Sequence, residues 1–402
     1  MNAASLHQAA NQERRFYALL ALGLVVLGVG LAAAHLMDLH GHVITGMNNQ
    51  VVWGLPHVFA IFLIVAASGA LNVASVGSVF GHAAYKPHAP LSALLSVALL
   101  AGGLMVLLLD LGRPERLLIA ATHFNFKSVF AWNVFLYSGL FALVGVYLWT
   151  LLERRLNPHA RSVGLAVLVW RLTLTTATGS IFGLLVARQA YQSALLAPLF
   201  IVLSLGWGLA VFLLVQAAML GWQGRGLPAA WSERVARLLG IFVLAALYMV
   251  AIHHLTNLYF ARQIDFELFI LIGRGAPDLL LPGLLWLGYG AVGTLLPLLL
   301  LFHPRLRGPR ALLWASALVV LGAFALLYVF IIGGQVFPLE IFPGHVVSSS
   351  FFDGAVDPYR PSLPEWLLGL GGIAAAYLLT LVGLRVLPLM PAADAPPAKE
   401  GA

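Results

Sequence analysis

Of the chain's 402 residues, 61% are hydrophobic and only 9% charged, whereas a soluble domain carries roughly a quarter charged residues, so the composition describes an all-α polytopic membrane protein. A formal net charge of +7 would suit nucleic acid, but the basic residues lie in short loops between apolar runs, the pattern that sets membrane topology, and nucleic acid is excluded as a partner. The chain has no cysteine, which removes disulfides and the thiolates that usually hold iron–sulfur clusters, so any such cluster must belong to a partner.

Residues 1–15 read as a polar cytoplasmic segment without a cleavable-signal pattern, because the first apolar run, 16–36, is long enough to span. Further spans are predicted at 51–74, 91–111, 127–152, 164–187, 194–220, 235–257, 279–302, 311–333 and 363–388, each near the ~20 residues that cross a bilayer. That gives about ten helices in one membrane domain, 16–388, followed by a polar tail, 391–402. Fourteen Lys and Arg fall on the N-terminal side against seven opposite, which places both termini in the cytoplasm. The loops at 36–50, 112–126, 258–278 and 334–362 then face outward.

The second span starts VVWGLPHVFA and carries His57 near its outer mouth, behind Asn48, Asn49, Gln50 and Trp53. An ionisable group in such a helix is a site candidate, and amides with an indole beside it suit a polar head group. A quinone-head pocket competes here with an interfacial histidine that caps a carbonyl beside a proline-started helix. The third span ends in LDLGRPER, where Asp110 and Arg113 lie three residues apart. The pair reads either as a carboxylate kept charged and aimed by a guanidinium or as a structural lock on the helix end. His123 follows in the outer loop, and Asn133 and Tyr137, four apart, share a face of the fourth helix.

His35, His40, His42, His57, His123, His253, His254 and His345 all fall on the outer side. Haems near both faces would need paired histidines in both halves of the helices, so a transmembrane diheme path is excluded while a single outer haem between His57 and His253 stays open. Arg171 lies inside the fifth span among Thr173, Thr175, Thr176 and Thr178. It reads as a structural arginine or as the lining of a half-channel. Asp265, Glu267, Arg274 and Asp278 among apolar residues suggest a surface-lying segment. The 334–362 loop, dense in Pro, Gly and Phe with Glu340, His345, Asp353 and Asp357, reads as a platform for a partner subunit.

The sequences GLPHVFAIFLIVAASG, LDLGRPER, SVFAWNVFLYSG and FPLEIFPGH…SSSFFDG…PSLPEWLLGLGG together resemble the NrfD/PsrC family, the membrane subunits of polysulfide reductase-like complexes. The ten-span layout is most similar to the DsrP-type subunit of the DsrMKJOP sulfur-metabolism complex, with the HybB type close behind. The resemblance implies two four-helix bundles with flanking helices and a site for menaquinone or ubiquinone near the outer face. It also implies an extracytoplasmic, ferredoxin-like iron–sulfur partner, further redox subunits, and residence in the bacterial inner membrane. No haem or cluster is expected in this chain. His57 resembles the family's quinone-ligating histidine and Asp110 its carboxylate, with Trp53, Arg113, His123, Asn133 and Tyr137 around them. One departure stands out: Trp53 occupies the place, one turn before the histidine, where polysulfide reductase has an Asn. Proton translocation is a further expectation, and a secondary transporter and an inert membrane anchor are the rival readings.

Overall fold

The computed structural model describes residues 3–339 and 354–389. It is helical throughout, with no strand among the described residues. We label the helices α1 (Ala3–His40), α2 (Leu55–Ser78), α3 (Ala89–Leu109), α4 (Val129–Leu152), α5 (Ala160–Gly183), α6 (Leu196–Trp222), α7 (Ala229–Tyr259), the short α8 (Ile264–Ile272), α9 (Leu280–Phe302), α10 (Pro309–Val336) and α11 (Leu363–Val386). All but α8 are long and apolar enough to cross a bilayer, ten in all, as the apolar runs predict. The protein is a multi-pass integral membrane protein.

Burial separates the spans. The most apolar window of α2 is 94% buried, against 17% for α1 and 28% for α4, so α2 is the central post and the others present one face to lipid. α2 packs on α3 and α6, α4 on α5, and α10 on α6 and α9. Two groups of four follow, α2–α5 and the spans α6, α7, α9 and α10, joined along α2 and α6. The outer pair α1 and α11 packs together and leans on α3.

Small residues permit the close crossings, as expected where lipid gives helices no hydrophobic reason to associate. A Cβ on Gly69 of α2 would lie 1.7 Å from the Ser204 carbonyl of α6, and Gly30 of α1 abuts Gly371 of α11. The join between the two groups thus depends on the missing side chain at Gly69.

Of the outer loop 334–362, residues 340–353, including Glu340, His345 and Asp353, lie outside the described residues, as does the 391–402 tail. Asp265, Arg274 and Asp278 are exposed, as the surface reading of the segment expects, but Glu267 is buried. It sits in α8 beside the buried Phe266, Phe269 and Ile270, because the inner face of this helix packs on α7 and the start of α9.

Candidate functional site

Helix α2 begins at a Pro in its first turn, after Gly54, and proline there is preorganised and forfeits no helical hydrogen bond. Its first turn carries His57 inward from the outer end. Helix α3 ends at Asp110, and Gly112, at φ 64°, turns the chain away. These two ends meet: His57 Nδ1 lies 2.8 Å from Asp110 Oδ2, and the carboxylate side chain is 1% exposed. The approach is at ion-pair distance but out of line, since neither His57 Nδ1 nor either Asp110 oxygen has a hydrogen-bond partner of good geometry. Polar groups so placed are expensive to leave unmet, and hydrogen-bonding groups of a ligand would meet them.

Arg113, expected beside Asp110, is exposed, and among the described residues no ion pair joins the two. The turn at Gly112 carries the guanidinium outward, and the histidine of another helix takes its place. A cavity of about 190 Å³ includes Leu109 and Gly112 in its wall, one residue before and two after Asp110, and is closed on its other side by His35, Asp38 and His42 of α1 and the following loop.

Trp53 covers the histidine. The two rings stack at 6.1 Å between centroids with 29° between planes, and Trp53 also contacts Phe130 of α4 at 6.2 Å and Phe182 of α5 at 5.5 Å. Asn133 is buried; its amide donates to the Val129 carbonyl at 2.9 Å, and its Oδ1 has no partner. Tyr137, one turn deeper, is half-buried and faces Thr178. His123 is exposed and lies 3.0 Å from Thr122 Oγ1; no contact joins it to His57 among the described residues.

What fixes Trp53 and His57 in place comes from far along the chain. Gln335 Oε1 accepts from the backbone N–H of Val52 and Trp53 at 3.0 and 2.9 Å. Arg188 donates to the carbonyls of Gln50 at 2.6 Å and Gln335 at 3.0 Å. Burial lowers the pKa of Arg188 from its ordinary value, opposed by Tyr191 beside it. Gln50, itself buried, donates to the carbonyls of Val336 and Ala355 at 2.9 and 3.2 Å. At the first turn of α2, the Leu55 N–H donates to Tyr359 Oη at 2.7 Å, and that hydroxyl in turn donates to Glu365. Glu365 is fully buried and also accepts from Gly46 N and Ser362 N at 2.8 and 2.7 Å. Burial and the Glu365 charge push the Tyr359 pKa up, so its hydroxyl stays a donor.

Deeper in the same helical group, Arg171 is 2% exposed and donates to Asn72 Oδ1 at 2.6 Å and the Ser68 carbonyl at 3.3 Å. Thr175 and Thr178 bond back to carbonyls of their own helix. The Arg171 contacts join α5 to α2, and Thr175 Oγ1 adds a second link at 2.6 Å from Ser68 Oγ.

A family model described as Polysulphide reductase, NrfD, matches residues 43–339, well over half of the chain, and the protein belongs to that family. The chain is 28% identical over 381 residues to the Hdr-like menaquinol oxidoreductase integral membrane subunit of Archaeoglobus fulgidus, covering 94% of each. It is 29% identical to a putative dimethyl sulfoxide reductase membrane subunit of Halobacterium salinarum, covering 94% of this chain and 92% of the relative. A selenate reductase subunit of Mesobacillus selenatarsenatis is 23% identical, with 90% and 91% covered.

Proposed function

We propose that this member of the polysulphide reductase NrfD family is the quinone-reactive membrane subunit of a respiratory oxidoreductase complex. In this reading it exchanges electrons between the membrane quinone pool and a redox partner docked at the outer face. The observation that carries the reading is the buried His57–Asp110 pair, 2.8 Å apart, at the outer mouth of the central helix with an aromatic wall beside it. The names of the relatives, which place them in a menaquinol oxidoreductase and two reductases, support it from a separate direction. The menaquinol of the Archaeoglobus fulgidus name makes menaquinone the first quinone to test.

The residues present suit a quinone head. Asn133 Oδ1 and both Asp110 oxygens are buried acceptors without partners, and His57 Nδ1 lacks an in-line one. Trp53 and Phe130 supply apolar ring faces of the kind that line small-molecule sites. When bound, the quinone couple supplies the two-electron, two-proton chemistry. His57 accepts or returns one proton at Nε2, the ring nitrogen that does not face Asp110. The Asp110 carboxylate, 2.8 Å from Nδ1, stabilises the imidazolium so formed through its charge. Asn133 Oδ1 accepts from a hydroxyl, which orients the head group. Trp53 stacks over His57 and excludes water, which strengthens each of these interactions.

The excess of Lys and Arg on the N-terminal side supports cytoplasmic termini, and hence an extracytoplasmic partner near His57. The relatives' names as subunits of oxidoreductases and reductases support redox partner subunits, and with no cysteine in this chain an iron–sulfur cluster on the path would be held by the partner. The reading is tested by reconstituting the intact complex in vesicles and measuring quinol-dependent turnover. Turnover is expected to fall at least 100-fold in His57→Ala and Asp110→Asn complexes that still assemble, about 2.7 kcal/mol. Full turnover in both would leave this chain as an inert anchor.

A further inference from the structure

The second helical group carries a histidine–carboxylate pair of its own, which the site above does not use. Glu267 of α8 is fully buried, and its Oε2 lies 2.7 Å from His254 Nδ1. Its Oε1 accepts from Asn257 Nδ2 at 2.7 Å. Oε1 is thus an acceptor, while Oε2 and Nδ1 share one proton, which the imidazole donates when Glu267 is ionised. Among the described residues no Lys or Arg pairs with Glu267, so its charge is balanced by a proton or by nothing. A buried carboxylate without a countercharge is costly. Among the described residues the titratable group placed to relieve it is the imidazole of His254, whose side chain is 18% exposed.

The pair sits at the polar end of an otherwise apolar cavity. A cavity of about 30 Å³ adjoins the pair, room for about two waters. Its walls include Leu199, Phe200, Leu326 and Phe330, and its titratable lining residues are His253, His254 and Glu267. His253 is 4% exposed. Its Nε2 faces Asn257 Nδ2 at 3.3 Å while its Nδ1 has no partner. With the amide as donor, Nε2 accepts and the proton of His253 sits on Nδ1, an unmet donor that a water in the cavity would satisfy.

We infer that His254 and Glu267, with Asn257 and His253 around them, form a second proton-binding site that takes one proton from water at His254 Nε2. Uptake converts the cluster from a buried single negative charge to a neutral imidazolium–carboxylate pair. Asn257 holds the carboxylate, and His253 stays neutral and anchors the cavity water. The site is separate from His57: Phe330 contacts His253 at 6.4 Å and Phe182 at 5.0 Å, and Phe182 contacts Trp53, so aromatic rings stand between the two. The inference does not depend on quinone chemistry.

The test is pH-difference infrared spectroscopy of the full chain in lipid vesicles with isotope-labelled histidine, in potassium buffer. Acidification is expected to raise an imidazolium band that is lost in His254→Gln and retained in His57→Gln. In Glu267→Gln its midpoint falls by at least about one pH unit, a tenfold loss of proton affinity. Asn257→Leu, which removes a donor from the carboxylate, moves the midpoint the other way and serves as the second variant if Glu267→Gln does not fold. A band unchanged in the His254 variant, or midpoints unmoved in both of the others, would overturn the inference. So would a wild-type midpoint that shifts when sodium replaces potassium, since the site would then hold a metal cation.

Discussion

The side-chain amide of Gln335 grips the Trp53 peptide from both sides: Oε1 accepts from Trp53 N at 2.9 Å, and Nε2 donates to the Trp53 carbonyl at 2.9 Å. A residue of α10 therefore sets the height of the indole over His57, from the second helical group to the first. Gln335→Leu should leave the Val52 and Trp53 N–H groups and the Trp53 carbonyl unmet. The cost is roughly 1–3 kcal/mol, read as a lower thermal unfolding midpoint together with a changed Trp emission. An unchanged midpoint and spectrum would mean that water replaces the amide at no cost.

Tyr359 gives the stability a defined alkaline limit. Its pKa is raised in the folded chain by burial and by the Glu365 carboxylate. The folded state therefore holds the phenolic proton at a pH where the unfolded chain has lost it. Stability from this group is complete below the ordinary tyrosine value of ~10 and declines as pH rises above it towards the higher folded value. Unfolding midpoints measured from pH 9 upward should fall more steeply in wild type than in Tyr359→Phe; parallel curves would remove Tyr359 from the account.

Arg171 and Asn72 should respond asymmetrically. Asn72→Leu leaves a buried guanidinium short of its 2.6 Å acceptor, whereas Arg171→Met removes the charge that needed one. Breaking a buried charged contact from one side costs about 3–5 kcal/mol, while replacing the charge by an apolar group of like volume is often neutral. The Asn72 variant is thus expected to unfold at the lower temperature. The reverse order would indicate that Arg171 does more than join helices.

The spans were legible because each is a long apolar run, and His57 and Asp110 because each is an ionisable group at the end of one. The partner of Asp110 was not. A helical i to i+3 reading points to Arg113, but Gly112 in the left-handed region ends the helix there, and His57 arrives from another helix. Glu267 reads as a surface acid because its loop holds other charges; only the packing of α8 buries it. Gln335, Tyr359 and Glu365 lie 282 to 319 residues from the groups they hold at and before the start of α2. No local spacing announces such contacts. Capping is the exception: Glu365 Oε2 accepts from Ser362 N at 2.7 Å, the carboxylate half of the box that the Ser-x-x-Glu pattern announces, although the role of the same Glu in clamping Gly46 is not announced.

Trp53 should contribute binding rather than chemistry. Trp53→Ala removes one face of stacking, worth about 1 kcal/mol, and is expected to weaken a quinone head-group analogue roughly fivefold, with Trp53→Phe recovering most of it. Equal loss in both would assign the effect to the hydrogen-bonded backbone rather than to the ring.

The central claim is that His57 and Asp110 form one quinone-head site, and the most direct measurement is equilibrium binding of a menaquinone head-group analogue to the purified protein. Wild type is compared with His57→Ala and Asp110→Asn, with the fold verified by circular dichroism. The account predicts that each variant loses at least tenfold in affinity, about 1.4 kcal/mol, and that the double variant loses little more than either alone, because the pair acts as a unit. Wild-type affinity in both single variants would contradict it.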